Sequence, residues 1–408
     1  MKKGLNLLLA FAVAIAFVSC KNEKQEFVNE NVTFSTEQTK KMLESVGEPT
    51  GKNYPRTTNK EGKLRTTSMY DWTPGFFPGS LWYLYELTGE EFWKENAEKW
   101  THSLEPLKTF TGNHDLGFMM YCSYGNAYRL ANKPEYKDIL IQSANSLSTR
   151  FTENTGLIKS WNGGRSWGDT TRWIYPVIID NMMNLEMLFF ASKVSGDKRF
   201  YDIAVSHANK TLENHFREDF SSYHVVDYDT ATGEVRGKYT AQGFSDNSTW
   251  SRGQAWAIYG YTMTYRETKE PQFLDAAIKL TDFYLKDLPE DLIPLWDFNV
   301  GQEGYVPGER SYAAQYQEKH RDASAGAIVC SALFELADLA GNKEYAEKAE
   351  KMLKSLASAA YRAPLGENAD FLIEHCVGSI PHRTEIDVPL VYADYYFLEA
   401  LTRYKNKK

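Results

Sequence analysis

The 408-residue chain has few cysteines and lacks the short motifs of several large enzyme classes. Beyond Cys20, only Cys122, Cys330 and Cys376 occur, and their scattered positions do not indicate a disulfide framework. No Cys/His cluster has zinc-site spacing, and no Gly-x-Ser-x-Gly, His-Glu-x-x-His or glycine-rich phosphate loop is present. The sequence therefore predicts neither a metal site nor a cofactor.

Positive charge is also in deficit, since 46 Lys and Arg oppose 54 Asp and Glu, which gives a net charge of -8. This balance argues against nucleic acid as a partner, because proteins that bind nucleic acids neutralise phosphates with basic side chains. Aromatic residues, in contrast, make up 14% of the chain, with 10 Trp and 26 Tyr. Such a content is typical of either a large core or an aromatic-lined groove of the kind that carbohydrates occupy.

The N-terminus has the pattern of an export signal. Two lysines precede an almost unbroken apolar run, Leu5–Val18, which is too short to span a bilayer core of about 30 Å comfortably. The following Ser19 and Cys20 resemble a lipobox, in which Cys20 becomes the lipidated first residue. We therefore predict a lipoprotein signal peptide over 1–20, a tether over 21–31 and one domain over 32–408. A plain signal peptide is the alternative.

This pattern predicts an exported lipoprotein of a Gram-negative bacterium, facing the periplasm or the cell surface. Its lipid anchor would be the only contact with the membrane.

Five segments of the chain repeat one plan: a helix-compatible aromatic and aliphatic run, a short turn, and a second amphipathic run. They cover 72–100, 115–147, 180–212, 252–285 and 322–356. A sixth first run begins near Asp387, and Ser35–Val46, which opens with the capping-box pair Ser35 and Gln38, supplies its partner. Twelve helices in six hairpins predict an all-α protein, a closed (α/α)6 barrel.

The first run of each hairpin is richer in Gly, Ala and aromatic residues, so we assign these runs to a buried inner ring. Long connections precede them, at about 47–71, 148–179, 213–251, 286–321 and 357–386. One piece, Tyr223–Tyr239, alternates and turns at Thr232-Gly233, which predicts a β-hairpin. The loops and the inner-helix N-termini therefore share one rim, where the helix dipoles favour an anion.

Two carboxylates, Asp115 and Asp180, begin successive inner helices and should face one cavity, as acid/base chemistry on a sugar requires. Asp is also a favoured helix cap, and Asp322 and Asp387 occupy similar positions, so spacing alone leaves both roles open. Arg252 also begins an inner helix. If it is buried, either a structural Asp or a substrate carboxylate would serve as its anionic partner.

Three blocks of the sequence resemble the unsaturated glucuronyl hydrolases, glycoside hydrolase family 88, and the resemblance extends over about 70–404. The blocks are His114–Phe118, Ile179–Met183 and Gln242–Trp256. The third block is long and specific. The fold of the family is an (α/α)6 barrel, in agreement with the helix count.

The resemblance implies that Asp180 is the general acid/base and Asp115 the second essential carboxylate. Substrate-binding or pocket positions are implied at Trp72, Phe76, His114, Trp161, His224, Gln242, Trp250 and Arg252. The chain departs from the family at two positions, because Ala241 and Asn113 stand where histidines are frequent. These departures bear on which groups the substrate carries beside the unsaturated uronic acid, and less on the reaction itself.

The implied activity is the release of a 4,5-unsaturated uronic acid from the non-reducing end of lyase-generated oligosaccharides, of glycosaminoglycan type or from ulvan. Asp180 would protonate the vinyl ether, while Asp115 stays ionised. The segment 374–383 lies on the predicted rim, where Ser379, His382 and Arg383 are expected to contact a sulfate or the +1 sugar. A surface loop with capping residues is the other interpretation of this segment.

Three alternatives stay open. An unsaturated rhamnogalacturonyl hydrolase would act on pectin products, but that group tends to have Arg-Gly-Asn-Gly-Trp where this chain has Arg-Gly-Gln-Ala-Trp at 252–256. A glycan-binding lipoprotein without catalysis would need aromatic platforms but no paired carboxylates. An inverting glycosidase on the same barrel would cleave saturated oligosaccharides.

Overall fold

The computed structural model describes residues 2–167, 171–308 and 312–407, with the side chains of 2–21 and 312 excepted. Thirteen α-helices lie within these residues. They are α1 Lys2–Val46, α2 Phe76–Thr88, α3 Glu91–His102, α4 Leu116–Met120, α5 Asn126–Ala131, α6 Pro134–Ser148, α7 Leu185–Ser195, α8 Lys198–Asn214, α9 Ser251–Thr268, α10 Pro271–Lys286, α11 Ala323–Ala340, α12 Lys343–Leu356 and α13 Val391–Asn406.

The helices form the predicted (α/α)6 barrel. The inner ring consists of α2, α4–α5, α7, α9, α11 and α13, and it alternates along the chain with the outer helices α1, α3, α6, α8, α10 and α12. A π-helical turn, Tyr121–Gly125, joins α4 to α5 as one inner element. The ring closes where α13 packs on α2, with the Tyr83 hydroxyl donating to Glu399 at 2.7 Å.

The core lies between the two rings and inside the inner one. Large side chains such as Trp82, Trp93, Trp100 and Trp256 are fully buried there. The inner helix α11 is long and apolar enough to cross a membrane, but 78% of it is buried inside the barrel. Its apolar character is therefore that of a core helix.

Helix α1 begins far earlier than the capping-box pattern predicts. The helix is continuous over Lys2–Val46, so Ser35 is an interior, buried residue and not a cap. Gln38 is buried as well, and its side chain donates to the carbonyls of Glu367 and Phe371 at 2.9 and 3.1 Å. The Ser-x-x-Gln spacing thus serves tertiary contacts here, which a local pattern does not reveal.

Residues 21–31, expected to be a tether, are helical in the structure, and the second half of this segment packs on the barrel. Val28 and Asn31 are 2% and 1% exposed. The ring of Phe27 makes an edge contact of 5.9 Å with Tyr404 on α13. The folded part of the chain therefore begins before residue 32.

Short strands occupy the long connections on the rim where the inner helices begin. They are β1 Tyr54–Thr58, β2 Leu64–Thr67, β3 Phe151–Thr152, β4 Leu157–Ile158, β5 Gly164–Arg165, β6 Arg172–Trp173, β7 Pro176–Ile178, β8 Val225–Tyr228, β9 Val235–Tyr239, β10 Cys376–Ser379 and β11 Thr384–Val388. The predicted hairpin is confirmed as β8–β9, which pair antiparallel around Gly233 at φ +74°, and β7 adds a third strand.

The sixth inner helix starts later than predicted. Asp387 lies in β11 at φ +54°, and its carboxylate contacts Nδ1 of His375 at 2.6 Å. The helix α13 begins only at Val391. Pro389 explains the difference, because the residue before a proline is disfavoured in helical conformation.

Candidate active site

The first turns of two successive inner elements are in direct contact at the rim. Asp115 immediately precedes α4, and Asp180 lies in the 3-10 turn that leads into α7. The Phe118 N–H donates to Oδ1 of Asn184 at 3.1 Å. A Cβ at Gly117 would stand 2.5 Å from the Cα of Asn184, so this approach requires glycine. The contact brings the two carboxylates together.

Neither carboxylate acts as a helix cap. Asp115 makes no side-chain cap hydrogen bond to α4, and Oδ2 of Asp180 has no hydrogen-bond partner among the described residues. Asp322, in contrast, accepts from the Ser324 N–H at 3.1 Å and caps α11. The side chains of Asp115 and Asp180 are 12% and 13% exposed, so solvent reaches both. The capping role therefore belongs to Asp322 and not to the pair.

Burial keeps protons on this pair. It raises the pKa of Asp180 to about 7, although the nearby charge of Arg252 opposes the shift. It raises the pKa of Asp115 well above its ordinary value, and the charges of Asp180 and Asp71 add to the effect. Asp115 was expected to stay ionised, but burial is the largest influence on its pKa, and the charge of Arg150 opposes the shift only in part. The two carboxyls together thus retain a proton at neutral pH.

His224 presents a fixed N–H to Asp180. Its Nδ1 accepts hydrogen bonds from the backbone N–H groups of Ala241 and Gln242, at 3.0 and 3.2 Å. The ring proton therefore resides on Nε2, which lies 3.8 Å from Oδ2 of Asp180. Burial holds the pKa of His224 well below its usual range, so the imidazole is neutral and acts as a donor.

His114 lies behind the pair and has no exposed surface. Its Nε2 is 3.3 Å from Oδ1 of Asp115, and its Nδ1 is 3.5 Å from the amide nitrogen of Asn184. Burial lowers the pKa of His114 to about 3, so this ring is neutral too. The structure places His114 as a support for Asp115, whereas a substrate contact was expected.

Arg252 is 1% exposed and already has partners inside the protein. Its guanidinium donates to Asp322 at 3.2 Å, to the carbonyl of Val377, and to the carbonyl of Gly378 at 2.7 Å. Of the two partners considered for Arg252, the structure therefore shows the structural Asp. Its charge still acts on the site by opposing the raised pKa of Asp180.

Aromatic rings form the walls of the pocket. Trp72 is half-buried and stands 4.9 Å from the Tyr392 ring. Phe76, expected to contact substrate, has no exposed surface and packs beneath Trp72 in the core. Trp161 is half-buried and stacks on Trp173 at 5.9 Å with the planes 22° apart.

Trp250 is 3% exposed and packs 4.6 Å from the ring of His224. It therefore supports the imidazole from inside the protein.

The hairpin β10–β11 borders the same pocket. The amide of Gln242 donates to the Gly378 carbonyl at 3.2 Å, beside Arg252. A 2.6 Å hydrogen bond joins the Ser379 hydroxyl to Nδ1 of His382. Arg383 is exposed in the turn at φ +53°. The predicted rim position of residues 374–383 is thus confirmed.

Three pocket residues were missed in the sequence. Trp173 and Tyr239 extend the stack begun by Trp161, and Trp167 meets the His382 ring edge-on at 4.8 Å. A regular spacing of six residues between Trp161, Trp167 and Trp173 was the available signal. The lipidation site predicted at Cys20 lies outside the described side chains.

The model of the Glycosyl Hydrolase Family 88 matches residues 44–407 of the chain. An unsaturated glucuronyl hydrolase of Formosa agariphila is 43% identical, covering 100% of this chain and 99% of that protein. An unsaturated chondroitin disaccharide hydrolase of Streptococcus pyogenes serotype M1 is 30% identical, with 93% of both chains covered.

Solved structures show similarity to the same family of enzymes. The crystal structure of an unsaturated glucuronyl hydrolase specific for heparin superposes with a TM-score of 0.84 at 41% identity, covering 93% of this chain and 97% of that one. The unsaturated glucuronyl hydrolase of Bacillus sp. GL1 superposes with a TM-score of 0.83 at 28% identity, with the same coverage.

Proposed function

Because the chain belongs to glycosyl hydrolase family 88, we propose that it releases a 4,5-unsaturated uronic acid from the non-reducing end of lyase-made oligosaccharides. It is a glycoside hydrolase, as is the relative at 43% identity that covers its whole length. The observation that carries the proposal is the carboxyl pair Asp115 and Asp180, which retains a proton at neutral pH without capping a helix. Such a pair suits a reaction that begins with protonation.

The first step uses the proton of Asp180. The substrate has a C4=C5 double bond attached to the ring oxygen, which makes it a vinyl ether. Asp180 donates its proton to C4, and positive charge develops at C5, where the ring oxygen shares it. The Nε2–H of His224 lies 3.8 Å from Oδ2, which is longer than a hydrogen bond, and its dipole favours the carboxylate that this transfer leaves.

The second step adds water. The ionised Asp180 accepts a proton from a water molecule, whose oxygen bonds to C5 and forms a hemiketal. The bond between C5 and the ring oxygen then breaks, C5 becomes a ketone, and C1 releases the aglycone as an alcohol. Asp115 limits the charge of the site, because burial and the charge of Asp180 both disfavour its ionisation.

The class of substrate is a glycosaminoglycan-type or ulvan-derived oligosaccharide, with heparin-type disaccharides the first candidate. The relative with the solved structure at 41% identity is specific for heparin. Arg383 is exposed in the hairpin turn, where a sulfate of the +1 sugar would reach it. Arg383→Ala should weaken turnover of sulfated disaccharides selectively, and an equal loss on unsulfated ones would contradict this role.

The activity is tested by absorbance near 235 nm, where the conjugated double bond absorbs. A panel of lyase-generated disaccharides from heparin, chondroitin, hyaluronan and ulvan should include at least one whose absorbance the enzyme removes. Saturated analogues should stay intact. No loss of absorbance on any of them would contradict the proposal and favour a glycan-binding protein.

We also propose that the chain is exported and lipidated at Cys20. The positive start, the short apolar run and the small residue before Cys20 support this. Metabolic labelling with a fatty acid in a Gram-negative host should label the protein, and Cys20→Ser should abolish the label. An unlabelled native protein would leave a plain signal peptide as the explanation.

A further inference from the structure

A second cavity of about 710 Å³ occupies the barrel lumen at the end opposite to the catalytic rim. Each inner helix contributes its C-terminal half to the wall, through Glu86, Arg129, Phe190, Arg266, Glu335 and Arg403. The deep end of the cavity reaches Gly117 and Phe118, but Asp115 and Asp180 do not line it. The cavity is therefore separate from the catalytic pocket, although both lie on the barrel axis.

The charged residues of this cavity carry an excess of negative charge. Arg266 contacts Glu186, Glu267 and Glu335, the last two at 2.8 and 2.9 Å. Arg403 contacts Glu335 at 3.0 Å and Glu399 at 3.5 Å. Four carboxylates thus share two guanidinium groups, which leaves two negative charges uncompensated in this cluster.

The remaining charged residues in the wall do not change this balance. Glu86 pairs with Arg129 at 2.6 Å, and Asp338 pairs with Lys407 at 2.9 Å. Burial raises the pKa of Glu186, although Arg266 opposes the shift. Because all six inner helices begin at the catalytic rim, their negative dipole ends also meet here. The electrostatics of the cavity therefore favour a cation.

One hydroxyl in the wall of the cavity forms no hydrogen bond with the described residues. Tyr396 lines the cavity and is 1% exposed, and none of the described residues forms a hydrogen bond with its hydroxyl. Burial raises the pKa of this hydroxyl, and the charges of Glu399 and Glu186 add to the effect. The hydroxyl is therefore open to a hydrogen-bonding group from a ligand or from solvent.

Aromatic rings complete the wall beside the excess carboxylates. The Phe190 ring meets Tyr121 at 5.6 Å and Tyr128 at 5.3 Å, and all three line the cavity. Aromatic faces next to carboxylates are the surroundings in which proteins hold alkylated or primary ammonium groups. The π-helical turn that contains Tyr121 sets this wall, and such turns are frequent at functional sites.

We propose that this cavity is a second binding site, which takes a small organic ammonium ion. A metal ion fits less well, because among the described residues no group of three His, Cys, Asp or Glu side chains could hold one. An anion would meet two excess negative charges and six helix C-termini. An ammonium group would instead contact the Tyr396 hydroxyl and the uncompensated carboxylates, with its carbon chain against the aromatic wall.

Titration calorimetry of the purified full-length protein tests the proposal, with choline and 1,4-diaminobutane as probes at low ionic strength. At least one of them should bind saturably at one site per chain, and added salt should weaken the binding. Glucose, which is neutral, should give no saturable heat. If neither ammonium compound binds, the proposal is wrong and the cavity holds only water.

Two variants with the same charge change separate the site from a general charge effect. Glu186→Gln removes one carboxylate while Arg266 keeps Glu267 and Glu335, and it should weaken binding about tenfold. Glu347→Gln makes the same change on the exposed face of α12 and should have no effect. Equal effects of the two would contradict the proposal.

Two further variants test which of the two cavities the probe occupies. Tyr396→Phe removes only the unpartnered hydroxyl and should weaken binding severalfold. Asp180→Asn should leave binding intact, because the catalytic pocket is separate. Loss of binding in Asp180→Asn would show that the probe occupies the catalytic pocket and would reject the second site.

Discussion

At the scale of single residues, the proposed chemistry depends on how burial and Arg252 together set the proton affinity of Asp180. Burial raises its pKa to about 7, and Arg252 opposes this rise. Asp322 and the backbone of β10 hold the Arg252 guanidinium by hydrogen bonds within the protein. The distance between Arg252 and Asp180 therefore does not depend on contacts with the substrate. The site is therefore tuned before substrate arrives, as electrostatic preorganisation requires.

Asp180→Asn should lower turnover by about 10²–10⁴-fold, the usual contribution of proton transfer by a positioned side chain. It should also stabilise the protein at high pH. The pKa of Asp180 is raised from 3.8 to about 7, so its stabilising contribution is complete below pH 3.8 and is lost as pH rises through 7. Asparagine does not titrate.

Thermal unfolding at pH 4 and pH 8 checks the stability part of this prediction. The melting temperature of Asp180→Asn should exceed that of the native protein at pH 8 and equal it near pH 4. Asp322→Asn is the matched control, because it keeps a helix cap but removes the charged partner of the buried Arg252, and it should lower the melting temperature at both pH values. Ordinary turnover in Asp180→Asn would remove the basis of the mechanism.

His224 should affect the rate without supplying a titrating group. In His224→Asn the amide oxygen can still accept from the Ala241 and Gln242 N–H groups, but the N–H toward Asp180 is lost. His224→Gln makes the complementary change. We expect the Asn variant to fold normally and to turn over severalfold more slowly, because the N–H dipole no longer faces the carboxylate that proton transfer leaves.

The pH profile separates the roles of Asp180 and His224. The kcat/KM of the native enzyme should fall as pH rises above about 7, where Asp180 loses its proton. This limb should persist in His224→Asn, because burial keeps the imidazole neutral. Disappearance of the limb in that variant would show that the histidine itself titrates.

At the scale of elements, the hairpin β10–β11 is held in an unusual conformation by ion pairs. His375, Arg383, Glu385 and Asp387 have φ values of +59°, +53°, +57° and +54°. The left-handed region costs such residues on the order of 1 kcal/mol each. Glu385 offsets part of this cost, since Arg56 on β1 donates to its two oxygens at 2.5 and 3.1 Å.

This ion pair connects the hairpin to the pocket. The carboxylate of Glu385 lies against Gly378, where an added Cβ would stand 2.4 Å from Oε2. The carbonyl of Gly378 in turn accepts from Arg252 and Gln242. Arg56 therefore holds the strand that borders the pocket while its other nitrogen contacts Asp71, next to Trp72.

Glu385→Gln should raise KM for disaccharides severalfold and change kcat by less than about twofold. A bidentate, charge-assisted contact is lost from the hairpin, but no reacting group moves. Asp387→Asn is the control, because its contact with His375 on the same hairpin is exposed and should contribute little. A fall in kcat without a change in KM would place Glu385 in the catalytic step instead.

The sequence predicted some elements and not others for local reasons. The β8–β9 hairpin was predictable, because alternating residues flank a turn with Gly233, which adopts φ +74°. The β10–β11 hairpin was not, because its positive-φ residues are not glycine and are stabilised by Arg56, more than 300 residues away. Helix α13 begins later than the repeat predicts, because Pro389 disfavours helical conformation in the residue before it.

At the scale of the whole molecule, the repeat predicted both the barrel and the meeting of Asp115 with Asp180, since successive hairpins are neighbours in a ring. The partner of Arg252 was not predictable, because Asp322 is 70 residues distant and pairs with it only after folding. The lumen cavity was not predictable either. It depends on how six helix ends with charges of both signs pack around one axis.

The direction of the helices also sets the orientation of the proposed lipid anchor. Lys24, near the start of the folded part of α1, contacts the carbonyl of Lys407 at the end of α13 with a 2.5 Å hydrogen bond. The inner helices begin at the catalytic rim, so this contact lies at the opposite end. A lipid at Cys20 would therefore hold the far end toward the membrane and leave the catalytic rim open to oligosaccharides.

Truncation tests whether the segment after Cys20 is part of the barrel. Removing residues 1–21 should leave the melting temperature almost unchanged, whereas removing residues 1–34 should lower it by several degrees. Val28 is 2% exposed, and burying such a side chain contributes about 1.5–3 kcal/mol. The 2.9 Å contact between Arg362 and Asn31 would be lost as well.

Val28→Ala in the full-length chain should have the same effect on a smaller scale, and Glu26→Ala, two residues earlier on the exposed side of the helix, is its control. The first should lower the melting temperature and the second should not. If removing residues 1–34 costs no stability, residues 21–34 are a flexible tether. The outer ring would then close only through the last turns of α1, around Gln38 and its contacts with 366–371.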